Sequence, residues 1–172
     1  KNDFEIRGEE AVVYVRCKSL TFATLVDTED IPRLLDFPYS WYACKRTYGG
    51  FVVKSKIYKS SGIYLHRFIL DAPPDLYVDH INHDTLDNRK MNLRLATPSQ
   101  NGQNRIGAAR NSRSNIRGVR YRVDRGQWAA ELKINGKHHH IGYYNDKRSA
   151  EIAVMNARKI MMPYSQEALK ES

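Results

Sequence analysis

The stretch VDHINHDTLDNRKMNLRLAT, residues 78–97, places a carboxylate beside an imidazole and then adds several amide side chains. Asp79 and His80 are adjacent, and Asn82, Asn88 and Asn92 follow them. The pattern has two interpretations: a turn-rich structural loop, or a site that binds a metal ion and cuts a bond. A lone Asp-His pair is more often part of a turn, so the rest of the chain has to decide between the two.

The second interpretation matches the needs of phosphodiester hydrolysis, which are an attacking water, a base and positive charge at the leaving oxygen. A neutral histidine, with a reference pKa of ~6.5, can be that base at neutral pH. A carboxylate and an amide oxygen suit a hard cation such as Mg²⁺. In a regular strand Asp79 and His80 would point to opposite faces, so we expect the backbone to bend there.

The composition indicates one ordinary domain or two small ones, because the chain has 172 residues, of which 41% are hydrophobic. No apolar run reaches the ~18–20 residues that a membrane helix needs, and no secretory signal pattern opens the chain. Cys17 and Cys44 are too few for a disulfide framework or a four-cysteine zinc site, so no structural zinc is expected. A reducing, intracellular setting is the expectation.

The charge of the chain is positive and unevenly distributed. The formal net charge is +9, and residues 106–172 hold 13 Lys and Arg against 6 Asp and Glu. From Arg105 to Arg125 there are seven arginines and a single acid, Asp124. This asymmetry indicates a polyanionic partner, most often nucleic acid, since the planar arginine fork suits phosphate and guanine. A merely soluble basic surface is the alternative.

The first part of the chain has the pattern of short strands and short helices. Residues 4–26 carry β-branched and aromatic runs, and a short helix interrupted by prolines follows Asp27. The stretch GGFVVKSKIYKSSGIYLHRFIL, residues 49–70, predicts a β-hairpin with residues 59–62, KSSG, as its turn. A helix is expected to begin at HRFIL, residues 66–70, and to stop before the next prolines.

The opening stretch itself predicts a strand that ends at His80, then a loop over 82–88. Residues 89–105 fit a short helix that Pro98 bends or ends. Residues 102–115 lack apolar periodicity and are rich in Gly, Ser, Asn and Arg, which is typical of a linker.

Residues 116–145 predict a three-stranded meander that is followed by a helix. The second and third strands are separated by Asn135-Gly136, a strong hairpin signal. The helix has Asn145 or Asp146 as its cap and an apolar stripe along one side. Because a lone three-stranded sheet cannot bury a face by itself, this helix is expected to lie across it.

The segment HRFIL…VDHINHDTLDNRKMNLRLATPSQNGQN resembles the core of HNH nucleases, in the subtype found in phage proteins and homing endonucleases. The resemblance implies a ββα-metal fold that holds one divalent ion. By position, Asp79 matches a metal-ligating acid and His80 the general base. Asn92 matches the asparagine that braces the loop, Asn101 the second metal ligand, and His66 a supporting residue near the site.

The loop departs from the family pattern at one position. His83 stands where the family often has glycine, which tolerates a positive φ at lower cost. His83 could therefore strain the loop or add a polar group near the metal. We assign Asx-turn roles to Asp84 and Asp87, and turn and surface roles to Asn88 and Arg89.

The segment NIRGVRYRVDRGQWAAELKINGKHHHIGYYNDKRSAEIAVMNARKI, residues 115–160, resembles the plant APETALA2-type DNA-binding domain. The resemblance implies a three-stranded sheet that reads the major groove with a helix packed behind it. The DNA-facing positions would be Arg117, Arg120, Arg122, Trp128, Glu131 and Lys133. His140 departs from the tryptophan of plant members, and we expect it to contact DNA or phosphate. Arg105, Arg110 and Arg113 of the linker are further expected contacts.

Together these patterns predict an α+β protein with five parts. They are a β-rich N-terminal segment (1–48) on the nuclease core, the HNH core (49–104), a basic linker (105–115), the APETALA2-type domain (116–162) and a C-terminal tail (163–172).

The predicted function is a DNA endonuclease with one Mg²⁺ or Mn²⁺ per active site. His80 would activate water, while the ion on Asp79 and Asn101 would stabilise the leaving 3′ oxygen. We expect a monomer that binds double-stranded DNA and no membrane, in the cytoplasm of a bacterial host, encoded by a phage or mobile element. The alternatives are a DNA-binding regulator without catalysis and, more weakly, an RNA-binding module, since the sheet lacks stacking aromatics.

Overall fold

The computed structural model describes residues 1–47, 49–57 and 62–168. The chain divides into two compact units, Lys1–Ala96 and Thr97–Ser172. The first unit unites the predicted N-terminal segment with most of the predicted nuclease core. Residues 97–104, which the sequence assigns to that core, fall in the second unit. The predicted KSSG turn lies largely outside the described residues.

Among its described residues, the first unit contains a six-stranded sheet. Its strands are β1 (Phe4–Arg7), β2 (Glu10–Cys17), β3 (Leu20–Asp27), β4 (Trp41–Lys45), β5 (Phe51–Ser55) and β6 (Ile63–Tyr64). Strand β2 pairs antiparallel with β1 and β3, and parallel with β4 at Arg16–Tyr42. Two helices accompany the sheet, α1 (Ile31–Asp36) and α2 (Leu65–Ile69). The strands predicted over residues 4–26 and the short helix after Asp27 are confirmed. Strand β4 was not predicted, and Pro32 lies in the first turn of α1 instead of interrupting the helix.

The core of the first unit forms because β2 and β3 place apolar side chains at alternate positions. Val13, Val15 and Val26 are each at most 4% exposed. They pack with buried residues from both helices, including Leu34, and from the hairpin described next, including Leu93. The N-terminal strands therefore belong to the same core as the Asp-His segment.

A separate hairpin carries the Asp-His pair. It consists of β7 (Tyr77–His80) and β8 (Leu93–Ala96). The predicted helix over 89–105 is wrong for its first half, since residues 93–96 form β8 and only Lys90–Asn92 makes a 3-10 turn. The helix that does form, α3 (Pro98–Gln103), begins at Pro98 rather than ending there.

The start of α3 has a local cause. The Thr97 hydroxyl accepts a hydrogen bond from the Gln100 backbone N–H, and the Gln100 side chain accepts one from the Thr97 backbone N–H. This capping box satisfies two amide donors that a helix start leaves open. Proline is well tolerated in the first helical turn, because it has no N–H to satisfy there.

The second unit confirms the predicted meander and helix. Its strands are β9 (Val119–Arg122), β10 (Gln127–Ile134) and β11 (Lys137–Tyr144), in the order β11-β10-β9, and helix α4 spans Lys147–Met161. Asn135 and Gly136 both have positive φ, as a two-residue hairpin turn requires. The side chain of Asp146 caps α4 by accepting from the Ser149 N–H. The buried core lies between the sheet and α4 and includes Val119, Leu132 and Val154.

The predicted basic linker, residues 105–115, lies within the second unit rather than outside a compact unit. Ser114 is buried and its hydroxyl lies 2.5 Å from the carbonyl oxygen of Val119. Glu167 of the predicted tail accepts from the buried Arg158 guanidinium at 2.8 Å. The tail is therefore packed as far as it is described, and residues 169–172 lie outside the described part. None of the helices in the described ranges is long and apolar enough to cross a membrane.

Candidate active site

Asp79 and His80 lie side by side on β7 and leave opposite faces of the hairpin. The pairing Asp79–Arg94 and His80–Leu93 continues the register of the preceding residues. The expected bend at the pair is therefore absent from this described hairpin. Both residues are buried, each 7% exposed.

The Asp79 carboxylate pairs with the arginine across the hairpin. Its Oδ2 accepts from Arg94 Nε at 2.9 Å and from Arg94 Nη2 at 2.7 Å. The two residues face each other because they are direct cross-strand partners. The guanidinium holds this carboxylate in a fixed orientation, and carboxylate oxygen is a ligand that hard cations such as Mg²⁺ prefer.

The His80 imidazole points to the opposite side, into the interior of the first unit. Its Nε2 lies 3.2 Å from Oδ1 of Asn88. Burial lowers the pKa of His80, while the Asn88 bond and the nearby carboxylates, Asp79 first, act in the opposite direction. A histidine with a lowered pKa is neutral at pH 7 and can accept a proton.

Asn88 is a residue that the sequence assigns to a turn at the surface, and this assignment is wrong. It is fully buried at 0% exposed. Its Nδ2 donates to Thr24 Oγ1 at 2.8 Å, and the Thr24 hydroxyl donates to the Leu86 carbonyl at 2.6 Å. The N-terminal strand β3 thus takes part in holding His80.

A signal for this contact exists in the sequence of β3. Phe22, Thr24 and Val26 alternate along the strand and share its inward face. Thr24 is a polar residue at a buried position in this apolar row. A buried hydroxyl requires a hydrogen-bond partner, so its position predicts a polar group from another segment.

Asn92 braces the loop between the two strands of the hairpin. Its Oδ1 accepts from the Asn82 backbone N–H at 2.9 Å, and its Nδ2 donates to the Asp87 carbonyl at 2.8 Å. One side chain therefore ties both ends of the loop. The loop in turn holds Asn88 beside His80.

The loop itself is built from short side chain to backbone bonds. Asn82 Oδ1 accepts from the Asp84 N–H, and Asp84 Oδ1 accepts from the Leu86 N–H, as Asx turns do. His83 has a φ of 69°, in the left-handed region where glycine is favoured. The expected strain at His83 is thus present in the backbone.

Asp87 and Arg89 form an ion pair that extends to the N-terminal strands. Arg89 Nε and Nη2 donate to the two oxygens of Asp87, both at 2.8 Å, and Nη1 donates to Glu10 at 2.8 Å. The Arg89 hydrogen bond is the main reason that the pKa of Asp87 is lowered. Arg89 therefore fastens the loop to β2 and is more than the surface residue that the sequence indicates.

His66 lies on α2 with its ring against that of His80. The ring centroids are 5.1 Å apart and the planes meet at 83°. The Tyr64 ring stacks on the His66 ring, with the centroids 5.4 Å apart. No hydrogen-bond partner for the buried His66 Nδ1 is found in the described ranges. Burial, and secondly the charge of His80, lower the pKa of His66 to about 3.

This environment predicts a loss of stability in mild acid. The pKa of His66 falls from 6.5 to about 3 on folding, so the unfolded state binds more protons below pH 6.5. The free energy of unfolding therefore decreases as pH falls from about 6.5 toward about 3. We expect the free energy of unfolding, measured by urea denaturation, to fall between about pH 7.5 and about pH 5.5. The fall should be about 1 kcal/mol larger in the wild type than in His66→Phe. Parallel pH profiles of the two proteins would contradict a neutral His66.

Most of the residues predicted to face DNA lie on one face of the second sheet. Arg120 pairs with Ala129, and His140 pairs with Glu131. These side chains lie on the face of the sheet that is turned away from α4. Arg122 and Lys133 share it by the alternation of strands. This set, Arg120, Arg122, Glu131, Lys133 and His140, is called the outer face below.

Trp128 and Arg117 do not belong to the outer face. Trp128 pairs with Tyr144 and packs in the core beneath α4. The Arg117 guanidinium turns inward and donates to the carbonyls of Gly102 and Gln103. Desolvation lowers the pKa of Arg117 to about 10, which reflects this burial. Their predicted DNA-facing placement is corrected by these contacts.

On the outer face, Glu131 connects two of the candidate DNA contacts. It accepts from Arg120 Nη2 at 2.8 Å and lies 3.8 Å from His140 Nδ1. Arg120 nevertheless remains 58% exposed. The three arginines of the former linker, Arg105, Arg110 and Arg113, are also exposed.

The second predicted metal ligand, Asn101, lies on α3 in the second unit, whereas Asp79 lies in the first. Among the described residues, no group of three or more His, Cys, Asp or Glu side chains could hold a metal ion. The described part of the chain therefore contains no metal site built from three or more such side chains. A site with one carboxylate and one amide would need water and phosphate as its other ligands.

The sequence of this chain is similar to a known protein family and to two known viral proteins. The family model described as HNH endonuclease matches residues 71–103. An uncharacterized HNH endonuclease of Acanthamoeba polyphaga mimivirus is 35% identical over 129 residues, which cover 71% of this chain and 63% of that protein. Protein 3.8 of Escherichia phage T7 is 31% identical over 67 residues, which cover 39% of this chain and 54% of that protein.

The chain thus spans less than two thirds of the length of either relative. No solved structure matches the chain. The matched range contains Asp79, His80, Asn92 and Asn101. Residues 71–103 are therefore similar to the HNH endonuclease family, and the chain is similar over most of its length to a viral HNH endonuclease.

Proposed function

We propose that this protein is a divalent-metal-dependent DNA endonuclease. The observation that carries the proposal is that a neutral His80 and the Asp79 carboxylate are consecutive residues of one strand, although their side chains leave opposite faces of the hairpin. This hairpin lies within the segment that matches HNH endonucleases. An imidazole base and a metal-binding carboxylate are two of the groups that phosphodiester hydrolysis needs.

In this mechanism His80 accepts the proton of the attacking water. Its neutral form at pH 7 follows from burial, and its position is fixed by Asn88 and by the loop that Asn92 braces. The His66 ring packs against the His80 ring with the two planes nearly perpendicular. Because the imidazole is already held in place, little entropy is lost in orienting it when it takes up the proton. This is the advantage of a pre-organised base.

The residues fit a hard divalent cation in their donor chemistry. Asp79 and Asn101, matched by sequence position, offer a carboxylate and an amide oxygen, which suit Mg²⁺ or Mn²⁺. When bound, such an ion would supply positive charge to the phosphate and to the leaving 3′ oxygen. Arg94 holds the Asp79 carboxylate in place through two hydrogen bonds to one oxygen, Oδ2.

The second unit is proposed to bind double-stranded DNA as an APETALA2-type domain. Arg120, Arg122 and Lys133 on the outer face support this role, together with the exposed Arg105, Arg110 and Arg113. An arginine on a sheet can pair with guanine in the major groove, while the others would neutralise phosphates. We propose that the protein acts as a monomer.

Cleavage of supercoiled plasmid by the full chain tests the proposal. We expect relaxed or linear DNA when Mg²⁺ or Mn²⁺ is present and intact plasmid when a chelator is added. The ends should be 5′-phosphate and 3′-hydroxyl, and DNA ligase should reseal them directly. Plasmid that stays intact with every divalent metal, although the protein binds DNA, would overturn the endonuclease proposal.

The second candidate is a DNA-binding regulator without catalysis. One observation favours it: the Asp79 oxygen that accepts both hydrogen bonds from Arg94 already has a positive partner. If Arg94 outcompetes a cation there, the protein would bind DNA and leave it intact. The plasmid experiment separates the two candidates, because binding is expected in both and strand cleavage only in the first.

A further inference from the structure

A buried series of hydrogen bonds runs from the Leu86 carbonyl through Thr24 and Asn88 to His80. The proposed mechanism does not say which nitrogen of His80 accepts the proton. We infer that Thr24 and Asn88 are positioning residues that keep His80 in the tautomer protonated at Nε2, so that Nδ1 is the proton-accepting atom. The inference deepens the proposed function, and its effect on rate rests on that function. The tautomer itself can be measured without any cleavage.

The Thr24 hydroxyl has a single hydrogen, so it can donate only one hydrogen bond. Thr24 Oγ1 lies 2.6 Å from the Leu86 carbonyl oxygen. Two oxygens at this distance need a hydrogen between them, and a carbonyl can only accept. The hydroxyl hydrogen is therefore used toward Leu86, and Thr24 Oγ1 can only accept from its other neighbour.

The second step is the orientation of the Asn88 amide. One terminal atom of the amide lies 2.8 Å from Thr24 Oγ1. Because Thr24 Oγ1 can only accept here, this atom donates and is therefore the nitrogen of the NH₂ group. The carbonyl oxygen of the same amide then faces His80 Nε2 at 3.2 Å. Asn88 and Thr24 are both 0% exposed, so water does not compete for these groups.

The third step follows at His80. An amide oxygen accepts only, so Nε2 must carry the hydrogen, and a neutral imidazole with Nε2–H keeps its lone pair on Nδ1. The backbone stabilises the arrangement, because Leu25 N–H donates to the Leu86 carbonyl and Asn88 N–H to the Leu25 carbonyl. Strand β3 thus fixes which nitrogen of His80 is basic.

The test is the ¹⁵N spectrum of the full chain labelled at its histidine rings, recorded at about pH 8, where an ordinary imidazole is neutral. His80→Gln assigns the signals of His80. In the wild type we expect Nε2 to be the protonated nitrogen. Thr24→Val removes the hydroxyl at nearly constant volume and should populate the Nδ1–H tautomer, whereas Thr24→Ser keeps the hydroxyl and should preserve the wild-type spectrum.

The rate of plasmid cleavage gives a second readout. We expect Thr24→Val to lower kcat about tenfold with KM unchanged, and Thr24→Ser to restore it, as is typical for residues that orient a functional imidazole. A wild-type His80 protonated at Nδ1 would overturn the inference, even if Thr24→Val did not fold. So would an unchanged tautomer in a folded Thr24→Val. If the predicted spectra are found without any cleavage, the inference stands and the endonuclease proposal fails.

Discussion

Replacement of His80 by glutamine is expected to lower the cleavage rate by about 10²–10⁴-fold, the usual contribution of a general base. Glutamine retains a polar side chain of similar size that can still bond to Asn88, but it cannot accept a proton at neutral pH. DNA affinity should change by less than about twofold, because the proposed phosphate contacts are the arginines of the second unit. Single-turnover cleavage and a filter-binding assay measure the two quantities.

The matched control is His139→Gln, the same substitution on β11 in the second unit, which lies outside the proposed active site and outside the outer face. It should cleave at the wild-type rate. Thermal unfolding of both variants shows whether the fold is retained. Equal cleavage by His80→Gln and the wild type would remove His80 as the base, while the metal and DNA proposals would remain open.

Local patterns were sufficient to predict the three-stranded meander and helix α4 of the second unit. The Asn135-Gly136 turn, the Asp146 cap and the apolar stripe of α4 all act within a few residues, and the structure has each of them. Residues 89–105 show the opposite case. Strand β8 is stabilised by pairing with β7, a non-local contact that overrides the local preference read from the sequence.

The candidate site was predictable where its residues are neighbours in sequence and not where they are distant. Asp79 and His80 could be recognised from their adjacency and the following asparagines. Thr24 and Asn88 are 64 residues apart, and only the packing of β3 against the loop brings them together. Trp128 shows the same limit, because a bulky aromatic residue on a strand does not by itself reveal which face is covered by α4.

Substitution of Gly118 by alanine is expected to have a large effect on stability, about 3 kcal/mol. Gly118 has a φ of +84°, and a Cβ there would lie 2.5 Å from the Glu131 carbonyl oxygen and 2.8 Å from Val154 Cγ2. The same approach allows the Glu131 N–H to donate to the Gly118 carbonyl at 2.7 Å. The methyl group would thus separate β10 from the segment that leads into β9 and push against α4.

Gly126→Ala is the control that isolates the steric part of this effect. Gly126 also has a positive φ, +62°, but a Cβ there meets only the Tyr121 hydroxyl, at 3.9 Å. It should lose about 1 kcal/mol from backbone strain alone. Hydrogen exchange of the amides in β9–β11 measures the opening free energy of this unit, and amides in β2–β5 serve as an internal reference. If the two alanine variants lose the same stability, the tight packing of Gly118 against Glu131 and Val154 does not contribute to the fold.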